Sequence, residues 1–450
     1  MPTDDNQQAL DEETLAFLLR ISYNYYGGGD EYHVNLNLLH KTILESLKKD
    51  DTSFTGDGYV SLSIIYLTFS FFNWLIPSFI AFTGPRAAIL VGALINIFFM
   101  LTFLYPMTWL LYTASALVGF GAAIIWTGQG ALLARCSNPD NISRNSGIFW
   151  ALLQCNMFFG NLCVYFAFQN KTHIDEHTRL MVVIVLSAVA FLSVIVLLGL
   201  RRVPDNSEMG DMDTEIPRSA WSSAWYALQS SGKLFMTRDM MLLTLPFAYT
   251  GFVLSFFSGI YGPSVGFTQK IHETPKEYVG IIGICIGIGE VTAGTVFGIL
   301  GSKTVRFGRD PIVIIAYVIH LVTFLLIYLN LPDNAPFKET EDVSYINPPK
   351  LWLALLCAVL LGLGDGSFCT QIYSMLAGVF VKQSAAAFAI FKFAQSVAAA
   401  IAFYYAYHLG LGIQLGILAI FATLGTITFC FVELKYKQLA KSEKTEESEK

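Results

Sequence analysis

Charged side chains are scarce in this sequence of 450 residues. Asp, Glu, Lys and Arg make up 14% of it, whereas hydrophobic residues make up 54%. Soluble globular domains carry about 25% charged residues, so that class is excluded. A formal net charge of -6 without a basic stripe also argues against a nucleic-acid partner. The composition predicts an integral multi-pass membrane protein whose main partner is the lipid bilayer.

The motifs of common enzyme sites are missing as well. There is no P-loop, no HExxH metal motif and no dinucleotide fingerprint. Seven cysteines lie in or beside apolar runs without metal-type spacing, which indicates neither a disulfide framework nor a zinc site. GPSVG at 262–266 matches a hydrolase pattern, but it ends an apolar run where a strand and a helix would be needed. We predict a protein that is not an enzyme and that holds no metal and no cofactor.

Long apolar runs are abundant, and a helix needs about 20 such residues to cross a bilayer. Eleven spans follow, at 59–83, 87–105, 107–134, 147–168, 180–200, 241–268, 278–301, 311–331, 351–381, 385–408 and 410–432. They divide the chain into an N-terminal bundle (59–200), a polar central loop (201–240), a C-terminal bundle (241–432) and a charged tail (433–450). We expect its last ten residues, KSEKTEESEK, to be solvated and disordered.

The two halves resemble each other weakly. GFGAAIIWT at 119 matches GLGDGSFCT at 362, an offset of 243 residues, and GIFWALLQ at 147 matches AIFKFAQ at 389, an offset of 242. YVSLSIIY at 59 matches YVGIIGIC at 278 with an offset of 219. Two related bundles joined by a long loop predict the all-α fold of the major facilitator superfamily.

One helix of that fold has no apolar counterpart in the first half. The offset of 219 puts the partner of 241–268 near 22–49, where the sequence reads SYNYYGGGDEYHVNLNLLHKTILESLKK. So many polar groups are too costly in hydrocarbon. We therefore expect the polar segment 1–58, which carries no signal-peptide pattern, to replace the first transmembrane helix.

The distribution of Lys and Arg predicts the orientation. If the central loop is cytoplasmic, the loops on its side carry 17 Lys and Arg residues, against six in the opposite loops. The central loop and the C-terminus are then cytoplasmic. Asn170, in the sequon Asn-Lys-Thr, faces the other side and is a candidate for glycosylation.

Three residues that carry a full charge at neutral pH fall inside apolar spans of the second half. Glu290 and Asp365 lie near the middle of their spans, and Lys392 follows in FAIFKFAQS. Buried charges of this kind mark functional sites. Both acids could couple proton movement to a solute, or one could form a fixed salt bridge with Lys392. Lys392 could instead extend to the cytoplasmic interface.

Other polar and small residues accompany these charges. Amides that could line a polar cavity or make interhelical hydrogen bonds are Gln129, Gln154, Asn156, Asn161, Gln371 and Gln395. Small residues recur as Gly283-xxx-Gly287 and Gly294-xxx-Gly298 and around Asp365, as tight packing or a hinge requires. We read His320 and His408 as packed or interfacial residues.

A basic loop separates two spans of the second half. GSKTVRFGRDP supplies Arg306, Arg309 and Asp310, and the shorter TGPR supplies Arg86 at the related place in the first half. The loop resembles the Gly- and Arg-rich cytoplasmic motif of the major facilitator superfamily, which steadies one gating state. The resemblance implies that Arg306, Arg309 and Asp310 could do so through charge-assisted bonds to helix ends. A solvated inside-positive loop is the alternative.

Longer stretches resemble a known family. They are SRNSGIFWALLQCNMFFGNL, AYTGFVLSFFSGIYG, GIGEVTAGTVFG, VRFGRDPIV, LLGLGDGSFCTQ and FAIFKFAQS. The chain, from about 41 to 435, resembles the Unc-ninety-three-like proteins of the major facilitator superfamily. The resemblance implies twelve helices in two bundles, although this chain departs from the family at the first helix. Relatives resemble a potassium-channel accessory subunit and an endosomal receptor-trafficking factor.

Two functions fit these observations. One is a secondary transporter that moves an unidentified small solute or ion between the bundles, with Glu290 and Asp365 as binding or coupling groups. The other is a non-transporting accessory or trafficking subunit whose partners are ion channel or receptor subunits.

Overall fold

The computed structural model describes residues 43–48, 53–135, 176–198, 231–299, 308–380 and 383–449, with a few single positions between 162 and 229. Regular structure in these ranges is helical, apart from one isolated β-bridge between Thr268 and Thr340. Within them, seven helices are long and apolar enough to cross a membrane, and two apolar helices are shorter.

Five helices of the first half are described. They are α1 (Gly58–Asn73), α2 (Ile76–Thr83), α3 (Pro85–Thr102), α4 (Thr108–Arg135) and α5 (Glu176–Leu198). Asp57 begins α1, because its side chain accepts hydrogen bonds from the backbone amides of Tyr59 and Val60. Gly84 has a φ of +78°, which glycine adopts readily, and it lets the chain turn from α2 into α3. The predicted span 147–168 lies outside the described ranges, apart from single positions, so the count of eleven spans stays a prediction.

The second half is described almost throughout. Its first helix, α6 (Arg238–Ser255), continues through a π-helical turn (Phe256–Tyr261) into α7 (Gly262–Phe267). The remaining helices are α8 (Tyr278–Ile299), α9 (Asp310–Asn330), α10 (Leu351–Val379), α11 (Ser384–Ala406) and α12 (Leu411–Glu449). The expectation of a disordered end for KSEKTEESEK was wrong, because α12 runs on to Glu449. Glu433 and Lys437, beyond the apolar span but before that stretch, form ion pairs with Arg309 and Asp310.

Glycines bring helix backbones together at the same place in each half. A Cβ on Gly362 of α10 would lie 2.0 Å from the carbonyl oxygen of Ile286 in α8. A Cβ on Gly119 of α4 would lie 2.3 Å from the carbonyl oxygen of Ile65 in α1. Since Gly119 and Gly362 are the two residues that the offset of 243 aligns, the internal repeat is also present in three dimensions.

The glycines that make these contacts differ in part from those expected. A Cβ on Gly287 or Gly294 would meet nothing within 4 Å, so these members of the two predicted pairs do not pack against a neighbour. Gly289 does, with a would-be Cβ 2.1 Å from the carbonyl oxygen of Val359. A three-residue spacing of glycines marks a helix face, but it does not tell whether a neighbour or lipid covers that face.

The two bundles meet along α1 and α11. Ser63 Oγ donates a 2.9 Å hydrogen bond to the carbonyl oxygen of Ala400, and the Tyr66 and Phe403 rings lie 5.4 Å apart. At the start of α1, the Tyr59 hydroxyl donates to the carbonyl oxygen of Pro336 in the loop 331–350. The interface between the halves is therefore packed at this helix pair.

Part of the N-terminal segment belongs to the core. Residues 43–48 are helical, and the side chains of Ile43, Leu44 and Leu47 are each no more than 3% exposed. Lys48 Nζ lies 3.4 Å from Asp57 Oδ2, which links this segment to the beginning of α1. Residues 1–42 and 49–52 of the expected polar replacement for the first helix lie outside the described ranges.

The glycine contacts predict opposite outcomes for neighbouring Gly→Ala substitutions in α8. Gly289→Ala should destabilise the protein by about 3 kcal/mol, because the new methyl group meets a backbone that cannot move aside. Gly294→Ala should stabilise it by up to about 1 kcal/mol, since alanine is the better helix former and the site is open. Thermal unfolding in one detergent compares both variants with the wild type, and equal melting temperatures would contradict the packing.

Candidate functional site

Asp365 is the most buried acid in the middle of a described transmembrane helix. It lies halfway along α10 and is 7% exposed. Its Oδ2 accepts a long contact of 3.7 Å from the Cys369 thiol, one turn along the helix. Its Oδ1 has no hydrogen-bond partner in the described part of the protein. A buried carboxylate oxygen without a partner is costly unless it is protonated or binds a ligand.

Lys392 lies nearby on α11 and is held by other groups. Its Nζ donates a 3.1 Å hydrogen bond to Gln395 Oε1, and Gln395 Nε2 donates to the hydroxyl of Thr250 in α6. The ammonium group also lies 5.2 Å from the ring centroid of Trp126 in α4. This is within the range of a cation–π interaction. The polar cluster therefore reaches from the second bundle to the first.

Of the two salt bridges that the sequence allowed, from Lys392 to Glu290 or to Asp365, the one to Asp365 is not formed. Among the described residues, the Asp365 carboxylate makes neither a salt bridge nor a hydrogen bond to Lys392. Glu290 is half-buried on α8, and its backbone faces Gly362 and Gly366 of α10.

The amides divide into those near the charges and those elsewhere. Gln395 bonds Lys392 directly. Gln371 is 3% exposed, its Nε2 donates to Thr370, and its Oε1 has no partner among the described residues. The side chain of Gln129 and the whole of Gln154 lie outside the described part, so their predicted place beside a cavity stays a prediction.

The first half has apolar residues where the second has these acids. The offset of 243 residues puts Ala122 at the place of Asp365. The would-be Cβ of Gly119 lies 3.1 Å from the backbone nitrogen of Phe69, and that of Gly362 lies 3.1 Å from the backbone nitrogen of Glu290. Ala122 and Phe69 are buried. The repeat therefore does not need a charge at either place in order to pack.

A second ionic site lies where α9 begins. Arg309 Nη1 donates to Glu433 Oε2 at 2.8 Å, its backbone amide donates to Glu433 Oε1, and its Nε donates to the hydroxyl of Ser374. Asp310 forms a salt bridge with Lys437. The basic loop is therefore joined to α10 and to the end of α12 by charged hydrogen bonds, which are stronger than neutral ones.

The other predicted loop and modification residues are only partly described. Arg86 donates a 2.7 Å hydrogen bond to the carbonyl oxygen of Leu198, at the end of α5. This is a bond to a helix C-terminus, and the gating role of Arg86 stays a prediction. Arg306 and Asn170 lie outside the described part of the chain.

The partners of the basic loop were missed from the sequence. Glu433 and Lys437 lie 124 and 127 residues beyond Arg309 and Asp310, in a segment that we read only as a charged tail. Lys435 of the same segment bonds Asp239 at the beginning of α6 with an Nζ–Oδ2 distance of 2.7 Å. The signal was the string FVELKYK, in which an acid directly follows an apolar run and two lysines alternate after it.

Comparison with known sequences identifies the family. Residues 51–431 match the family described as "Ion channel regulatory protein UNC-93". The chain belongs to the UNC-93 family. UNC93-like protein MFSD11 of Xenopus laevis is 43% identical over 406 residues, which cover 87% of this chain and 90% of that protein. UNC93-like protein 3 of Arabidopsis thaliana is 27% identical over 77% of this chain and 73% of its own length.

Comparison with solved structures confirms the fold. The structure of a point mutant of the nucleoside transporter NupG superposes on 93% of this chain over 99% of its own length, with a TM-score of 0.64 and 12% sequence identity. The peptide transporter POT in complex with sulfate covers 96% of this chain and 95% of its own, with a TM-score of 0.65 and 12% identity. The UNC-93 family chain has the all-α fold of the major facilitator superfamily and is an integral multi-pass membrane protein. These relatives point away from an enzyme.

The buried pair at the second ionic site predicts a non-additive mutant cycle. Arg309→Met should destabilise the protein by about 3 to 5 kcal/mol, because it leaves the Glu433 carboxylate buried and unpaired. The double variant Arg309→Met/Glu433→Met should be less destabilised than that single variant. Lys435→Met is the matched control, since its lysine is half exposed and its ion pair contributes at most about 1 kcal/mol. Additive losses in chemical unfolding would contradict the pairing.

Proposed function

We propose that this protein is a secondary transporter that moves a small solute or ion across the membrane between its two bundles. The observation that supports this function is the Asp365 carboxylate, buried halfway through α10 with one oxygen lacking a partner among the described residues. Asp365 is the group that binds the solute or the coupling ion. Glu290 and Lys392 adjust the charge of the site, and Gln395 holds Lys392 in place.

Charge balance gives a reason for this assignment. Asp365 makes no ion pair among the described residues, so its carboxylate carries an uncompensated negative charge when it is ionised. An excess charge in low dielectric is expensive. Binding of one monovalent cation, a proton included, removes the excess. A cluster that alternates between these two states is suited to coupling.

In the same proposal, the basic loop is part of a cytoplasmic gate. The central loop, the basic loop and the C-terminus lie on the cytoplasmic side, as the excess of Lys and Arg predicts. Arg309, bonded to Glu433 and Ser374, then holds α9, α10 and α12 together at that side. Arg86 does the same for α3 and α5 through the carbonyl oxygen of Leu198. Arg306 and Asp310 belong to the same gate, and Asn170 is a glycosylation site on the opposite side.

A second candidate function is a non-transporting accessory or trafficking subunit for ion channels or receptors. The description of the family as an ion channel regulatory protein favours it. In that case the fold of a transporter is retained for lateral contact with other membrane proteins, and the charges of the second half serve folding alone.

A ligand screen separates the two functions. Thermal unfolding of the purified full chain is measured against a panel of metabolites and inorganic ions at about pH 5.5 and about pH 7.5. A solute at about 100 times its Kd should stabilise the wild type by about 2.7 kcal/mol. The stabilisation should vanish in Asp365→Asn and persist in Glu341→Gln, because Glu341 is an exposed acid of the loop 331–350.

The screen can also contradict the proposal. Stabilisation that persists in Asp365→Asn would remove Asp365 from the binding site. If no compound or ion stabilises the wild type at either pH, the accessory function replaces transport, and co-purification with membrane partners becomes the relevant assay.

A further inference from the structure

His320 of α9 makes a buried chain of hydrogen bonds that ends beside Asp365. The imidazole is fully buried, its Nε2 lies 3.1 Å from the carbonyl oxygen of Leu361, and its Nδ1 bonds the hydroxyl of Tyr249 in α6. A carbonyl oxygen can only accept, so the hydrogen is on Nε2. Nδ1 then accepts from the Tyr249 hydroxyl. Both ring nitrogens are therefore used in the neutral imidazole.

The Leu361 carbonyl connects this chain to the acid. In an α-helix the amide of residue i donates to the carbonyl of residue i−4, so within α10 the Asp365 amide donates to Leu361. His320 therefore bonds the same oxygen that anchors the backbone of Asp365. The imidazole also fills the space beside Gly364, where a Cβ would lie 2.2 Å from Nε2.

The other side of the same turn is held as well. Gly362 contacts the Ile286 carbonyl, and Gly366 contacts the backbone of Glu290. Three glycines within five residues weaken a helix, because glycine loses more freedom on folding than other residues. The turn that carries Asp365 is thus intrinsically soft, and contacts from α8 on one side and from His320 on the other keep it in place.

The first half shows that packing alone does not require a histidine here. The offset of 243 pairs Gly364 with Gly121, and the residue that faces Gly121 is Ile95, with its Cγ2 3.0 Å from the would-be Cβ. An aliphatic side chain fills this place where the helix carries Ala122. The histidine stands in the half that carries Asp365.

We propose that Tyr249 and His320 are positioning residues that hold the soft turn of α10, and with it the Asp365 carboxylate, at the site between the bundles. The inference rests on the proposed function in that Asp365 is the binding or coupling group there. It adds two uncharged partners, on α6 and α9, that set where that group lies.

Cys369 reports on this turn without any solute. Its thiol contacts Asp365 Oδ2, and it is half-buried. Site-resolved labelling of the full chain with N-ethylmaleimide, read by mass spectrometry, gives its rate of modification. Tyr249→Phe and His320→Ile should each raise this rate about five-fold or more, because a looser turn exposes the thiol more often. Half-buried Cys430 of α12 is the internal control and should react at the wild-type rate.

Two further variants separate positioning from packing and from charge. His320→Gln retains a donor for Leu361 and an acceptor for Tyr249, so it should label Cys369 at nearly the wild-type rate. Thr323→Val is a buried substitution one turn along α9, where the lost hydroxyl bonds only Ile319 of its own helix. It should leave the rate unchanged.

The outcomes are distinct from those of the ligand screen. Unchanged labelling of Cys369 in His320→Ile, equal acceleration at Cys430, or failure of His320→Gln to restore the rate would each overturn the inference, even if the screen finds a ligand. Faster labelling of Cys369 but not of Cys430, reversed in His320→Gln, would support the inference even if the screen finds no ligand. Only the proposal of transport would then be rejected.

Discussion

The direct contact between the backbones of α8 and α10 is the constraint on which the second bundle depends. Lipid offers no hydrophobic force to drive helices together, so close approach and dispersion must do so. Gly289 and Gly362 remove the side chains that would keep these helices apart, and each faces a carbonyl oxygen of the other helix. Gly119 repeats the arrangement against Ile65 in the first bundle. In both halves, therefore, a glycine of one helix packs against a backbone carbonyl oxygen of its neighbour.

At three places that the two halves share, only the second half carries polar side chains. At the places of Asp365, Glu290 and His320, the first bundle carries Ala122, Phe69 and Ile95. Since the same backbone contact forms with apolar side chains, the polar set of the second bundle is not required for packing. Burying these polar side chains costs free energy. Buried polar groups that do not stabilise the fold are expected at functional sites. Lys392, held by Gln395 and facing Trp126, brings the first bundle to the edge of the same site.

How far the sequence could predict this arrangement depends on how local each feature is. The long apolar runs were sufficient for the helices of the described ranges, and an acid inside such a run was sufficient to single out Asp365. Features that depend on a distant partner were missed. Glu433, which bonds Arg309 across 124 residues, stood in a string that composition alone marked as a tail. Gly289 was overlooked because spacing does not reveal which face of α8 meets α10. His320 was read as packed, since nothing in its own sequence shows that Tyr249 and Leu361 flank it.

The central claim is that Asp365 is held in a site where it can take up and release a proton. Infrared difference spectroscopy of the purified protein, stepped between about pH 5.5 and about pH 7.5, tests it most directly. The account predicts a carboxyl stretching band that appears and disappears reversibly and that is missing in Asp365→Asn but present in Glu341→Gln. A difference spectrum that is the same for the wild type and Asp365→Asn would contradict it, because the carboxyl group would then keep one protonation state throughout.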